Sequence, residues 1–305
     1  MPKRVIVTGG TGFIGRSLCK ALIERGYEMV VLSRDPEKVS RIFGAGAVGA
    51  AWGGASPDKW AHHVEGAYAI VNLAGDNIAA GRWTADKKKR ILSSRLDAGA
   101  AVTEAVRRAA RKPAVIVQAS AIGYYGNRGE GLLDEVSSKG TGFLSDVCAA
   151  WERSTGDVEA FGVRRVVVRT APVLGARGGF LDRVVPVFKR NLGSYMGNGR
   201  QWNSWIHLRD EIGAILFLLE HESLGGVFNL ATPQPVRNRE FYRTLGRVLE
   251  KPAHFGIPAF VLRAVLGEVA RELILPGQRI APRRLCEAGY SFAFPELEPA
   301  LREFL

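Results

Sequence analysis

The stretch TGGTGFIG, Thr8 to Gly15, follows a short aliphatic run that begins at Val5 and opens an apolar pattern of helical period, Ile14, Leu18, Ala21 and Leu22, which Gly26 stops. Its glycines have separate uses. Gly9 permits a tight turn, Gly12 lets an anion approach the main chain, and Gly15 lets the helix pack closely on the strand. The N–H groups of the turn and first helical residues, Thr11, Phe13 and Ile14 among them, face that anion with the positive end of the helix dipole. The string alone is common, and its weight comes from its place in the first βαβ unit of the chain. It predicts a dinucleotide pyrophosphate site.

Outward from this loop, aliphatic runs at Met29–Ser33, Ala69–Leu73, Val115–Ser120 and Arg165–Thr170, with a weaker one at Ala47–Trp52, read as buried strands separated by helical patterns. Residues 84–111 form the longest of these patterns, closed by Pro113. Alternating β and α segments predict an α/β fold, a doubly wound, mainly parallel Rossmann sheet. After Val173 a series of glycines breaks the pattern, and residues 209–221 return to helical spacing before a strand at Val227–Leu230. The predicted division is a nucleotide-binding domain over 1–175, rejoined by 207–230. Segments 176–206 and 231–305 make a smaller, mostly helical C-terminal lobe that closes over a substrate.

The second strand ends at Ser33 and Arg34, where an NAD site ordinarily places a carboxylate against the ribose hydroxyls. A hydroxyl and a guanidinium instead suit a 2′-phosphate, so the expected cofactor is NADP(H). The 305 residues carry a formal charge of +12, but the cations are scattered or lie on helical faces, without aromatic interleaving, which argues against nucleic acid as the partner. The three cysteines and five histidines lack metal-site or disulfide spacing, so no metal is expected. No apolar run reaches the ~20 residues of a membrane span and no signal peptide opens the chain, which predicts a soluble, cytoplasmic protein.

Further motifs carry a resemblance: VNLAGDNI at Val71–Ile78, SSR at Ser93–Arg95, SAIGYYG at Ser120–Gly126, CAAWE at Cys148–Glu152, RTAPVLG at Arg169–Gly175 and GNGRQWNSWIHLRD at Gly197–Asp210. With the glycine loop they make the chain similar, over nearly its whole length, to the sugar-nucleotide-epimerase-like subfamily of extended short-chain dehydrogenases, the epimerase family proteins. The resemblance implies that Leu73 and Ala74 flank the adenosine side of the cofactor, that Asn72 and Gly75 shape that loop, and that Arg95 stands near the cofactor. It implies too that Val173 lies beside the nicotinamide and that Pro258 through Phe294 form the C-terminal domain of the subfamily.

Such enzymes generally use a tyrosine as acid or base, a lysine four residues on, and a serine that orients the carbonyl. Anchored on CAAWE, the tyrosine position falls at Leu144 and the lysine position at Cys148, while the serine position falls at Ala121, next to Ser120. Proton transfer still needs a titratable group near the reacting oxygen. Tyr124 and Ser120 are therefore the candidate catalytic residues, and Tyr125, Arg200, Trp205 and His207 the candidate substrate contacts. The expected activity is that of an oxidoreductase or epimerase acting on a small polar carbonyl or hydroxyl compound, with a nucleotide sugar among the candidates. The alternative is an NADPH-binding sensor without catalysis.

Overall fold

The computed structural model describes residues 3–176, 178–253 and 255–305. Its centre is a seven-stranded sheet: β1 (Arg4–Thr8), β2 (Glu28–Ser33), β3 (Ala47–Ala51), β4 (Ala69–Asn72), β5 (Val115–Ala121), β6 (Arg164–Thr170) and β7 (Gly226–Leu230). All are parallel, in the spatial order β7-β6-β5-β4-β1-β2-β3. The order reverses between β1 and β4, so a crevice opens beyond their carboxyl ends, where doubly wound sheets hold their ligands.

Alternate strand residues feed two apolar layers. Val5, Val7, Val31, Val117 and Val168 pack under helices α1 (Phe13–Glu24) and, later in the chain, Leu208–Glu220, through Leu18, Leu22, Ile215 and Leu219. Ile6, Val30, Ile70 and Ile116 pack on the opposite face against the long helix Ala85–Arg108 through Val102, Ala105 and Val106. Helix α2 (Pro36–Phe43) follows β2, Ala85–Arg108 is α3, and α4 (Phe143–Arg153) follows β5.

Beyond β6 the chain leaves the sheet. Helix α5 (Leu181–Lys189), α6 (Leu208–Glu220), α7 (Asn238–Val248) and α8 (Ala259–Leu266) follow, with a third apolar cluster formed by Leu174, Phe188, Trp205, Phe241, Leu245 and Leu301. Two-residue ladders knit this part together: Val173–Leu174 with Ile206–His207, and Trp202–Asn203 with Val236–Arg237. The tail is not wholly separate from the sheet. Helix α9 (Arg283–Glu287) returns to β7, burying Leu285 in the first layer, and Arg284 donates to the Val227 and Gly225 carbonyls. Helix α10 (Leu297–Arg302) ends the chain against α7. Among the described residues no helix is long and apolar enough to cross a membrane, and no cluster of histidine, cysteine or carboxylate side chains is grouped to hold a metal ion.

Candidate functional site

Gly9 leaves β1 with φ +69°, and Gly12 is the N-cap of α1, its N–H donating to the Gly9 carbonyl at 2.9 Å. A Cβ on Gly15 would stand 2.3 Å from the Gly9 oxygen and 2.7 Å from the Gly10 Cα, so that position exists for packing. A Cβ on Gly12 would meet only the Gly9 oxygen, at 3.1 Å, and otherwise point into an exposed space before the helix terminus. No side chain caps α1 and no acid stands in its first turn, which leaves its leading N–H groups and dipole for an anion. The arrangement fits a pyrophosphate.

The crevice floor is held by a buried polar chain. Thr8 Oγ1 donates to Asn72 Oδ1 at 2.6 Å and accepts from the Ala74 N–H at 3.0 Å; Asn72 Nδ2 donates to Gln118 Oε1 at 2.8 Å. The ends of β1 and β4 are thereby tied to the middle of β5, and Leu73 and Ala74 are half-buried along the opening. Arg95 lies behind this loop: it donates to the Asp76 carbonyl at 3.1 Å, rests on Gly75 and stacks on Trp151 at 4.7 Å. Lys87, also buried, holds Asp76 at 2.7 Å.

At the end of β2 the two predicted residues behave differently. Ser33 spends its hydroxyl inside the turn, donating to the Asp35 carbonyl and accepting the Asp35 N–H. Arg34 is exposed and has no acid partner among the described residues. Asp35, a carboxylate only two residues past the strand, was not singled out from sequence. It caps α2 through the Lys38 N–H and pairs with Arg41 at 2.9 Å, so it is engaged away from the crevice.

Four of the predicted site residues are buried. Ser120 is buried and donates to Glu152 Oε1 at 2.7 Å, so its proton is committed. Tyr125 is fully buried; its hydroxyl donates to Asn229 Oδ1 at 2.7 Å and accepts from Arg169 at 3.0 Å, and burial pushes its pKa up to about 12. His207 is fully buried between Phe294 and Phe304. Its Nδ1 caps α6 through the Arg209 N–H, and burial lowers its pKa to about 4. Trp205 is 1% exposed, part of the third apolar cluster, and borders the cavity between the sheet and the C-terminal helices. Arg200 is exposed on the outer face, in an arginine-lined groove with Arg237, Arg239 and Arg243.

Ser120 and Tyr125 belong to one network that sequence reasoning missed. Glu152 of α4 grips Arg169 of β6 in a fork, at 2.8 and 2.9 Å, with the two side chains 12% and 4% exposed. The Arg169 guanidinium also lies 3.4 Å above the Tyr124 ring. Tyr124 is half-buried, and its backbone oxygen is fixed by the Gly140 N–H and the Ser145 hydroxyl. Its own hydroxyl has no hydrogen bond among the described residues. Beside it, Leu144 and Cys148 of α4 are the side chains that a Cβ on Gly123 would meet, at 3.4 and 3.5 Å. Burial raises the Cys148 thiol to about 11, so it is not a nucleophile poised for use. Val173 begins the strand leading to Gly175 and Gly179, both of which pack on the Phe13 ring at the head of α1.

Comparison with known proteins agrees with this geometry. A family model described as NAD dependent epimerase/dehydratase family matches residues 5–231. The chain belongs to that family. A second model, a domain of unknown function designated DUF1731, matches residues 257–304. Among epimerase family relatives, protein ML0860 of Mycobacterium leprae is 38% identical over 97% of this chain and 94% of its own length. The chloroplastic SDR39U1 homologue of Arabidopsis thaliana is 38% identical over 99% and 86% respectively. The crystal structure of human epimerase family protein SDR39U1 (isoform 2) with NADPH superposes with a TM-score of 0.87 at 34% identity, covering 99% of this chain and 98% of that one.

Proposed function

We propose that this epimerase family protein binds NADP(H) at the glycine turn and acts as an oxidoreductase or epimerase on a small carbonyl or hydroxyl compound held beyond β5 and β6. The observation that carries the reading is the turn from Gly9 to Gly12 entering an uncapped α1 where the strand order reverses, with Arg34 free of any acid partner among the described residues nearby. That the human relative was crystallised with NADPH supports the choice of nucleotide.

In this reading the amides from Thr11 to Ile14 receive the pyrophosphate, Arg34 receives the 2′-phosphate, and Leu73, Ala74 and Gly75 border the adenosine. Arg95 acts from behind, holding the loop in shape. Val173 borders the nicotinamide, whose bound, reduced form supplies a hydride equivalent. Tyr124 is the residue we assign to the accompanying proton, since its ring is fixed by Arg169 and its hydroxyl is uncommitted among the described residues.

A second reading, an NADPH-binding protein without catalysis, is favoured by α4. Leu144 and Cys148 present no working acid or base there, and the Ser120 hydroxyl donates its hydrogen bond to Glu152. A turnover screen of NADPH with carbonyl compounds and nucleotide sugars separates the two, because tight binding without oxidation across the panel supports the second. For the cofactor, fluorescence titration should find NADPH bound more tightly than NADH by about 1.5–3 kcal/mol, about tenfold or more, with most of that preference lost in Arg34→Ala. Equal affinities in the unmutated protein reject the assignment.

A further inference from the structure

Beyond the ends of β5 and β6, between the sheet and the C-terminal helices, lies a cavity of about 110 Å³. Ile122 and Pro172 bound it on the sheet side, and Phe241, Tyr242 and Trp205 on the other. A π-helical turn, Ala270–Ile274, brings Leu273 and Ile274 to its wall. Among the described residues, no charged side chain lines it. Cavities of about 150 Å³ hold a benzene ring, so this one takes a group of five or six non-hydrogen atoms.

Most polar groups on the wall are already engaged with one another. Gln278 Nε2 donates to the Ile122 and Gly126 carbonyls, Ser204 donates to the Gln278 carbonyl, and Asn238 bridges the Met196 N–H and Asn203. Among the described residues, two donors on the wall make no hydrogen bond and are open to the space, the Tyr242 hydroxyl and Asn203 Nδ2, whereas the indole N–H of Trp205 is sealed from it. An amide N–H can only donate, and a donor shut away from water without a partner is costly, so a wall carrying the Tyr242 hydroxyl and Asn203 Nδ2 is matched to an occupant that brings an acceptor oxygen.

The arginines lie elsewhere. Trp202 separates the cavity from the outer arginine groove, with Arg237 stacked on its ring at 3.9 Å and Glu130 clamping both the indole N–H and Arg237. A diphosphate entering the cavity would lose its hydration and find no cation.

Resting on the cofactor reading above, we infer that this cavity is the specificity pocket of the site and takes a small uncharged carbonyl compound through its oxygen, excluding nucleotide sugars. The chemistry selected is that of a ketone or aldehyde of compact, mainly apolar shape.

Ligand-observed saturation-transfer NMR on the full chain with NADP⁺ tests it, using cyclopentanone as the uncharged probe and UDP-glucose as the charged one. Cyclopentanone should bind, and UDP-glucose should not compete with it. Tyr242→Phe should weaken cyclopentanone by about threefold to tenfold, the value of one neutral hydrogen bond, and leave NADPH affinity unchanged. Competition by UDP-glucose, no binding of cyclopentanone, or a folded Tyr242→Phe protein with unchanged cyclopentanone affinity would each overturn the inference. If the variant does not fold, the two probes on the unmutated chain still decide it. A parallel NADPH titration keeps the two readings apart: NADPH bound with cyclopentanone refused defeats the pocket alone, whereas cyclopentanone bound with NADPH refused supports the pocket and defeats the cofactor assignment.

Discussion

Gly12 and Gly15 stand in one loop, yet a side chain harms each differently. At Gly15 the added atom collides with main chain on two sides; at Gly12 it nears one carbonyl and otherwise fills the approach to the helix terminus. Gly12→Val is therefore expected to abolish NADPH binding in calorimetry with a melting temperature close to the parent, while Gly15→Val lowers the melting temperature sharply. A folded Gly12→Val protein with unchanged NADPH affinity would make the loop structural only. Tyr124 is the other residue to test, as the proposed proton donor. General acid–base assistance is worth 10² to 10⁴ in rate, so Tyr124→Phe should cost about 3–5 kcal/mol of barrier in single-turnover kinetics with little change in NADPH affinity. Equal rates would remove Tyr124 from the chemistry. Its neighbour Tyr125 looks equivalent in sequence and is not, because Asn229, 104 positions away, takes its hydroxyl.

Helix α4 carries the CAAWE motif, and the motif's meaning is structural. Trp151 receives the Arg95 guanidinium, while Glu152 joins α4 to β5 through Ser120 and to β6 through Arg169. Removing one member of so buried a pair strands the other's charge, which is why such a cluster holds three elements in one arrangement. Helix α6 contains a different device. Glu211 is buried against β6, accepting only the Thr170 hydroxyl among the described residues, and desolvation raises its pKa to about 8. The folded chain thus keeps a proton that the unfolded chain releases between the ordinary glutamate value of 4.5 and about 8. Stability from this group is intact below about 4.5 and declines as pH rises to about 8. Glu211→Gln, which stays neutral, should raise the melting temperature at pH 8 and do so much less at pH 5; an equal gain at both values would contradict the buried-acid account.

On the scale of the molecule, the sheet and the C-terminal helices meet around the crevice. Arg183 of α5 donates to the Ala79 carbonyl, Lys88 of α3 pairs with Glu268 at 2.7 Å, and Glu272 accepts the Leu144 N–H at 3.1 Å. A nucleotide bound in that crevice favours the folded state by mass action. At about a hundred times its dissociation constant NADPH should add roughly 2.7 kcal/mol, seen in scanning fluorimetry as a dose-dependent rise of several degrees, and NADH should need about tenfold more for the same shift. No shift with NADPH would contradict binding in the folded state.

The sequence by itself determined the doubly wound sheet, because strand burial and helix periodicity are local patterns, and it determined the glycine turn, because the positive φ of Gly9 and the close packing at Gly15 call for glycine. The open cationic end of β2 was legible at Arg34 for the same reason: Arg34 lies at the end of a recognisable strand. Which polar side chains are spent and which are available was decided only by the tertiary structure. Ser120, Tyr125 and His207 are ordinary candidates on paper, and each is committed through groups or rings that the fold brings from far along the chain: Glu152, Asn229, and Phe294 with Phe304. Asp35 is silenced by Arg41, and the uncharged cavity is assembled from β5, β6, α7 and the tail. Hydrogen-bond partnership and exposure depend on non-local packing, and no spacing within a segment encodes them.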